Sequence, residues 1–400
     1  MARPGDRGRT AVALVGVALG LLAALGGPPG GASGPAAAGL RTPDGGRLEL
    51  GPPPEVTGFA RAEEPRPFRL PEDHGPHFEF QTEWWYYTGQ LTAADGGRYG
   101  FQLTFFRRGL TPGPPPEGGG LATNQVYFAH FAITEVAGDR HVAAERFARG
   151  AGGLAGASGR PYAVWLEGWR ADATDGDGSR VRLAGRDAVA GLSLDLRLEA
   201  RKPLVAHGDR GLSAKSADRG NASYYVGYTR LAARGTIGLG GREVEAAGEA
   251  WFDHEWSTSA LGAGAVGWDW LSLQLDDGRE LMCFRIRRDD GSTEPASSGT
   301  LVLADGRTRR LARGDFALAP LGRWTSPPTG AAYPSRFRVE VPGEGLALVV
   351  TPLVADQEMR TSFVYWEGAV DVVGTAAGRA VRGRGYVELT GYGRSMQGVF

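Results

Sequence analysis

Glu83 to Arg108, EWWYYTGQLTAADGGRYGFQLTFFRR, decides the fold class of this chain. Two aromatic-rich runs, Glu83 to Leu91 and Arg98 to Arg108, flank the turn-forming triplet Asp95-Gly96-Gly97. In the second run Phe101, Leu103 and Phe105 alternate with Gln102 and Thr104, the two-residue period of a strand with one buried face. The stretch predicts a β-hairpin. Similar runs predict strands at Val126 to Thr134, Tyr162 to Trp169, Leu192 to Glu199, Tyr224 to Leu231 and Gly235 to Leu239. Long helical periodicity is almost absent beyond the N-terminal segment, and 64 glycines and 25 prolines punctuate the short strands. The chain therefore reads as all-β, a sandwich or barrel.

The hairpin has a second copy. Trp268-Asp269-Trp270, Gln274-Leu275, Asp276-Asp277-Gly278 and Arg287-Arg288 follow the same order as Trp84-Trp85-Tyr86, Gln90-Leu91, Asp95-Gly96-Gly97 and Arg107-Arg108. Gly241-Arg242-Glu243-Val244 with Gly248 likewise matches Gly378-Arg379-Ala380-Val381 with Gly385. Two β domains in tandem account for both matches. They are expected at 71–258 and 259–400, meeting in the small-residue stretch Ser257 to Gly264.

Near the end of the first copy stands Trp251-Phe252-Asp253-His254-Glu255-Trp256. On a strand, Phe252, His254 and Trp256 share one face while Asp253 and Glu255 share the other. A histidine set in an aromatic wall can move protons near neutral pH beside rings that stabilise positive charge. The same residues fit a buried, hydrogen-bonded histidine among core aromatics. The repeat sets Asp253, His254 and Glu255 opposite Thr390, Gly391 and Tyr392. Only the first copy keeps acid–base groups there, which favours function. Barrel closure would bring this last strand beside the first and set Glu83 where it can orient or charge His254.

Composition narrows the function classes. A formal net charge of -1, with no long run of like charge, gives no footprint for nucleic acid. Arg3, Arg7 and Arg9 precede an apolar run from Ala11 to Leu25, and Ala36-Ala37-Ala38 offers a cleavage site, so 1–38 reads as an export signal. The expected location is periplasmic or extracellular, or membrane-anchored if the segment is retained. Residues 39–70, rich in Gly and Pro, read as a linker or wrapping arm. The single cysteine, Cys283, cannot form an internal disulfide.

Taken together, Glu83-Trp84-Trp85-Tyr86-Tyr87, Lys202-Pro203-Leu204, His207-Gly208, Ala222-Ser223-Tyr224-Tyr225, Asp253-His254-Glu255-Trp256 and Tyr386-Val387-Glu388-Leu389-Thr390-Gly391-Tyr392 resemble the lipocalin-like superfamily of bacterial carotenoid 1,2-hydratases and AttH proteins. The resemblance implies two tandem lipocalin-like antiparallel β-barrels and an apolar, isoprenoid- or lipid-like ligand. For the hydratases it implies acid catalysis: alkene protonation, a carbocation stabilised by aromatic groups, and addition of water. His254 and Trp256 match the family's His-x-Trp pair. Its Tyr-x-Asp pair would fall at Leu281 and Cys283, so the proton donor is not at its usual place, and Glu83, Asp253, Glu255 and Asp269 are the candidates to replace it.

The leading expectation is an exported protein that binds an apolar ligand. One alternative is a hydratase or lyase-type enzyme centred on His254, and another is an accessory protein of an ABC-type export permease. The expected catalytic group is His254, Trp256, Glu255, Asp253 and Glu83. Trp84, Trp85, Tyr86, Phe128 and His130 are expected to line the ligand site, with Tyr224, Phe252, Trp268 and Asp269. Strand alternation sets Trp268 and Trp270 on the face opposite Asp269. His74 and His77 lie near Asp73 and Glu79, but Gly75-Pro76 suggests a turn and no third ligand motif follows. No metal or other cofactor is expected. His207 sits in a Gly-rich charged loop and reads as structural or part of a lid.

Overall fold

The computed structural model describes residues 57–116, 122–258 and 261–396. The segment read as an export signal and the arm up to residue 56 lie outside the described residues. The chain is all-β, with two large antiparallel sheets. The first half contains β1 (Thr82–Ala93), β2 (Arg98–Gly109), β3 (Gln125–Glu135), β4 (Arg140–Arg149), β5 (Ala155–Gly159), β6 (Tyr162–Leu166) and β7 (Trp169–Ala173). It continues with β8 (Arg180–Asp187), β9 (Leu192–Ala200), β10 (Val205–Ala206), β11 (Leu212–Ala214), β12 (Ala222–Leu239) and β13 (Arg242–Ser257).

The hairpin that decides the fold forms, with Glu83 opposite Arg107 and Gln90 opposite Gly100. Its turn closes because Gly96 takes a left-handed φ of 85° and Asp95 Oδ1 accepts the Gly97 N–H at 2.9 Å. The strand order is β4-β3-β2-β1-β13-β12-β9-β8-β7-β6-β5. Because β6 comes up against β3 and β4, this sheet wraps into a near-closed barrel. Trp85, Phe101, Leu103, Phe131, Trp169 and Leu196 fill its interior. The runs Tyr224 to Leu231 and Gly235 to Leu239 belong to the single strand β12, which bulges between Tyr228 and Leu231. Tyr162 to Trp169, by contrast, spans two strands joined by a tight turn, with Glu167 at φ 52°.

The second half contains β14 (Ala265–Leu275), β15 (Glu280–Arg288), β16 (Gly299–Val302), β17 (Thr308–Leu311), β18 (Ala317–Pro320), β19 (Arg323–Thr325) and β20 (Ala332–Pro334). It ends with β21 (Phe337–Val341), β22 (Leu346–Pro352), β23 (Glu358–Arg360), β24 (Val364–Ala376) and β25 (Arg379–Leu389). The order β17-β16-β15-β14-β25-β24-β22-β21-β18 is an open sheet. The expectation of a second barrel is therefore corrected. Its two edges are four-residue strands; one exposes Arg309 and Arg310, and the other ends in Pro320, which has no N–H to donate. Such edges resist pairing.

The repeat is visible in the topology. The first strand of each half pairs with the last, β1 with β13 and β14 with β25. Strand alternation then builds three layers. Trp85 and Leu271 point into their own sheets, while Tyr86, Trp251, Trp270, Phe284 and Tyr386 meet between the sheets.

Candidate active site

A cleft lies between the two sheets. Its empty volume is about 860 Å³, counting the part open to solvent. Trp84 and Tyr86 of β1, Phe106 of β2, Trp268 and Trp270 of β14, and Phe284 and Ile286 of β15 supply most of its apolar wall. Phe363 and Tyr365 complete it. Only a few polar groups converge on this surface, as is usual for small-molecule sites. Such a wall suits an apolar ligand.

Those polar groups are mostly acids. Asp253 and Glu255 reach the cleft from β13, Glu367 from β24 and Glu388 from β25. Burial pushes the Asp253 carboxyl up to about 8, although Tyr225 and Trp251 oppose the rise by donating to it at 2.5 and 2.8 Å. Glu255 adds repulsion. Burial takes Glu388 to about 7, against a 2.8 Å bond from Trp268 Nε1. Glu367 is raised well above the ordinary carboxyl range by burial and by Glu388. Glu255 instead pairs with Lys215 at 2.7 Å and accepts the Ser223 hydroxyl at 2.5 Å. The cleft thus holds Asp253 and Glu367 as neutral acids at neutral pH, beside indole and phenyl faces. Tyr86 Oη and Glu367 Oε1 are buried without a hydrogen bond of ordinary geometry.

The opposite face of the same strands carries a second titratable cluster. Glu83, fully buried, accepts His254 Nε2 at 2.9 Å and His77 Nδ1 at 2.7 Å on one oxygen, and Arg107 Nε at 2.8 Å on the other. Asp73 lies 3.1 Å from His77 Nε2. Burial opposes ionisation of Glu83, but Arg107 and His77 hold its carboxyl well below the usual range. Burial likewise disfavours charged His77, yet Glu83 and Asp73 raise it. His254 is lowered by burial despite Glu83 and stacks on Trp85 with ring centroids 4.9 Å apart. Because a carboxylate only accepts, Nε2 of His254 carries the proton; Nδ1 has no partner among the described residues.

His77, Glu83 and His254 place three metal-ligand atoms within 4.8 Å of one another. The cluster is nevertheless a hydrogen-bonded one. Arg107 and Arg66 already neutralise Glu83 and Asp73, and a divalent ion there would face two buried or half-buried guanidiniums.

The sequence-predicted residues do not form a single site. Asp253, Glu255, Trp84, Tyr86 and Trp268 line the cleft. Glu83, His254, Trp256, Trp85 and Phe252 face the first sheet's interior, and Tyr224 packs with Trp256 under the arm residue Phe68. Asp269 is fully buried on the far side of β14, paired with Arg285 and Arg287. Phe128 stacks on Phe106 behind the cleft, and His130 bonds Tyr365. Leu281 and Cys283 point into the second core, away from the cleft. Sequence reasoning missed Glu367 and Glu388. Their signal was available: each is an acid two residues from a tyrosine, on the same face of its strand. It also missed that buried His207 places Nε2 3.8 Å from Asp253.

The AttH-like family model matches residues 61–392. The crystal structure of a protein assigned as AttH from Nitrosomonas europaea is 36% identical, with a TM-score of 0.74, covering 84% of this chain and 100% of that one. Kievitone hydratase from Nectria haematococca is 14% identical, with a TM-score of 0.64, covering 85% of this chain and 98% of that one. No curated protein matches the sequence.

Proposed function

The chain belongs to the AttH-like family, and from the chemistry of its cleft we propose that it is a hydro-lyase-type enzyme for an apolar, unsaturated isoprenoid- or lipid-like molecule. The observation that carries this reading is Asp253, a carboxyl raised to about 8 at the wall of an aromatic cleft. In the hydration direction, Asp253 donates its proton to one alkene carbon and the other becomes cationic. Trp84, Trp268 and Trp270 offer π-faces to that cation. Water then adds, and its surplus proton returns to the Asp253 carboxylate, so the net change is one water gained. Dehydration runs the same steps backwards. That one structural relative is named as a hydratase supports the class of reaction. The Arg-led apolar segment at the N-terminus supports export.

A second reading keeps His254 as the acid–base group, on the strength of its buried, unpartnered Nδ1. Mass spectrometry of organic extracts from purified wild type, Asp253→Asn and His254→Ala separates the two. The proposal expects wild type to carry two species differing by one water and Asp253→Asn to carry one of them only. The same pair in both would overturn it, and a loss confined to His254→Ala would move the acid to His254.

A further inference from the structure

Tyr365, on the cleft wall, is tied to the protein surface by hydrogen bonds that cross from one sheet to the other. His130 on β3 is fully buried and engaged at both ring nitrogens: Nε2 lies 2.9 Å from Glu145 Oε1 of β4, and Nδ1 lies 2.7 Å from Tyr365 Oη of β24. The Glu145 side chain is 16% exposed. Ser362 holds it, its backbone N–H and hydroxyl donating at 3.0 and 2.6 Å. On the cleft side, Gln102 Nε2 donates to Tyr365 Oη at 3.3 Å and to Glu367 Oε2 at 2.8 Å. Glu367 also meets the Tyr365 and Tyr86 hydroxyls, with Oε1 outside ordinary hydrogen-bond geometry.

The polarity of this run is fixed by chemistry. The Glu145 carboxylate only accepts, so Nε2 of His130 carries the ring proton and Nδ1 accepts the Tyr365 hydroxyl proton. Tyr365 Oη is then free to accept from Glu367, whose side chain it meets. We propose that Glu145, His130 and Tyr365 form a proton relay connecting Glu367 with solvent, so that the acid can exchange protons while a ligand fills the cleft. This extends the reading of the cleft as an acid–base site.

The step balances. Glu367 gives its proton to Tyr365 Oη, Tyr365 gives its own to His130 Nδ1, His130 gives the Nε2 proton to Glu145, and Glu145 gives one to water. Glu367 ends as a carboxylate, Tyr365 as a neutral phenol and His130 as the opposite neutral tautomer; uptake of a proton reverses every transfer. The groups facing this run are Tyr86 from β1, Gln102 from β2, and Tyr386 and Glu388 from β25. Burial raises Tyr86, Tyr386 and Tyr365 well above the ordinary phenol value, with nearby acids adding to the rise, so the phenols pass protons without staying ionised.

The test needs no substrate. The infrared band of the protonated Glu367 carboxyl, assigned by its loss in Glu367→Gln, is titrated with alkali while nitrogen NMR follows the His130 tautomer. The relay expects His130 to switch from Nε2–H to Nδ1–H at the midpoint where the acid band disappears. It also expects Glu145→Gln, a change that keeps the side chain's shape, to slow the band's decay after a pH jump by about tenfold or more in a variant whose melting curve matches wild type. A tautomer that stays fixed, a Glu367 that never ionises while the protein is folded, or an unchanged decay rate in Glu145→Gln would overturn it. These readouts stand apart from the extract comparison: Asp253→Asn can disprove the hydro-lyase reading and leave the relay untouched.

Discussion

Gln90 and Gln274 make the same contact in opposite directions. The Gln90 amide crosses from β1 to donate to Val370 O and Gly385 O of the second sheet, at 2.7 and 2.9 Å. The Gln274 amide crosses from β14 to donate to Thr229 O and Ala250 O of the first, both at 2.9 Å. They occupy matching places in the repeat, so each half reaches across to backbone carbonyls of the other.

Removing either amide strands two buried carbonyls. Gln90→Leu and Gln274→Leu are each expected to cost about 1–3 kcal/mol in chemical denaturation. A loss below about half a kcal/mol in both would mean that the carbonyls find other partners.

Asp253 sets a pH dependence whose sign is unusual for a carboxyl. Its folded value of about 8 lies above the ordinary 3.8. Across that window the folded protein keeps a proton that the unfolded chain has released, so stability falls as pH rises and the penalty is complete above about 8. Asp253→Asn should therefore match wild type in thermal melts at about pH 3 and exceed it at about pH 9. A variant that gains nothing at alkaline pH would show that Asp253 is not held neutral. If the hydro-lyase reading holds, wild-type turnover that needs the acid form declines through the same upper limit.

Glu83 works the other way. It is held far below its ordinary value, so its contribution is present at neutral pH and is lost on acidification through its folded value. Glu83→Gln leaves Arg107 buried opposite a neutral amide and should cost about 3–5 kcal/mol by denaturation at neutral pH. The gap between variant and wild type should narrow in acid. A gap independent of pH would assign the loss to packing.

Much of this architecture was legible because strands report their own faces. Alternation in Trp251 to Trp256 set Phe252, His254 and Trp256 on the face opposite Asp253 and Glu255, and barrel closure predicted that Glu83 would lie against His254, where it lies at 2.9 Å. The repeat glycines also had a physical reason: a Cβ at Gly248 would sit 2.0 Å from Gln90 O, and one at Gly385 2.0 Å from Ser272 O. Alternation does not say which face meets a ligand. His254 and Asp253 are neighbours with opposite outlooks, and only the docking of the second sheet turns the Asp253 side into a cleft. Openness of the second sheet was equally hidden, because it depends on edge strands of four residues whose composition carries little signal.

The acids also predict which ligands the cleft rejects. Asp253, Glu367 and Glu388 are tolerable in an apolar wall only as neutral groups, since a buried unpaired carboxylate costs several kcal/mol. An anionic ligand would add charge beside Glu255, whose partner Lys215 is already engaged. Neutral phenylnaphthylamine should therefore bind at least about tenfold more tightly than anilinonaphthalene sulfonate in fluorescence titrations at neutral pH. Its binding should weaken as pH rises through about 7 to 8, where Glu388 and then Asp253 ionise and the wall becomes polar. In Asp253→Asn that weakening should be smaller. Equal affinity for both dyes, or binding indifferent to alkali, would place the dye outside this cleft or show that its acids are solvated.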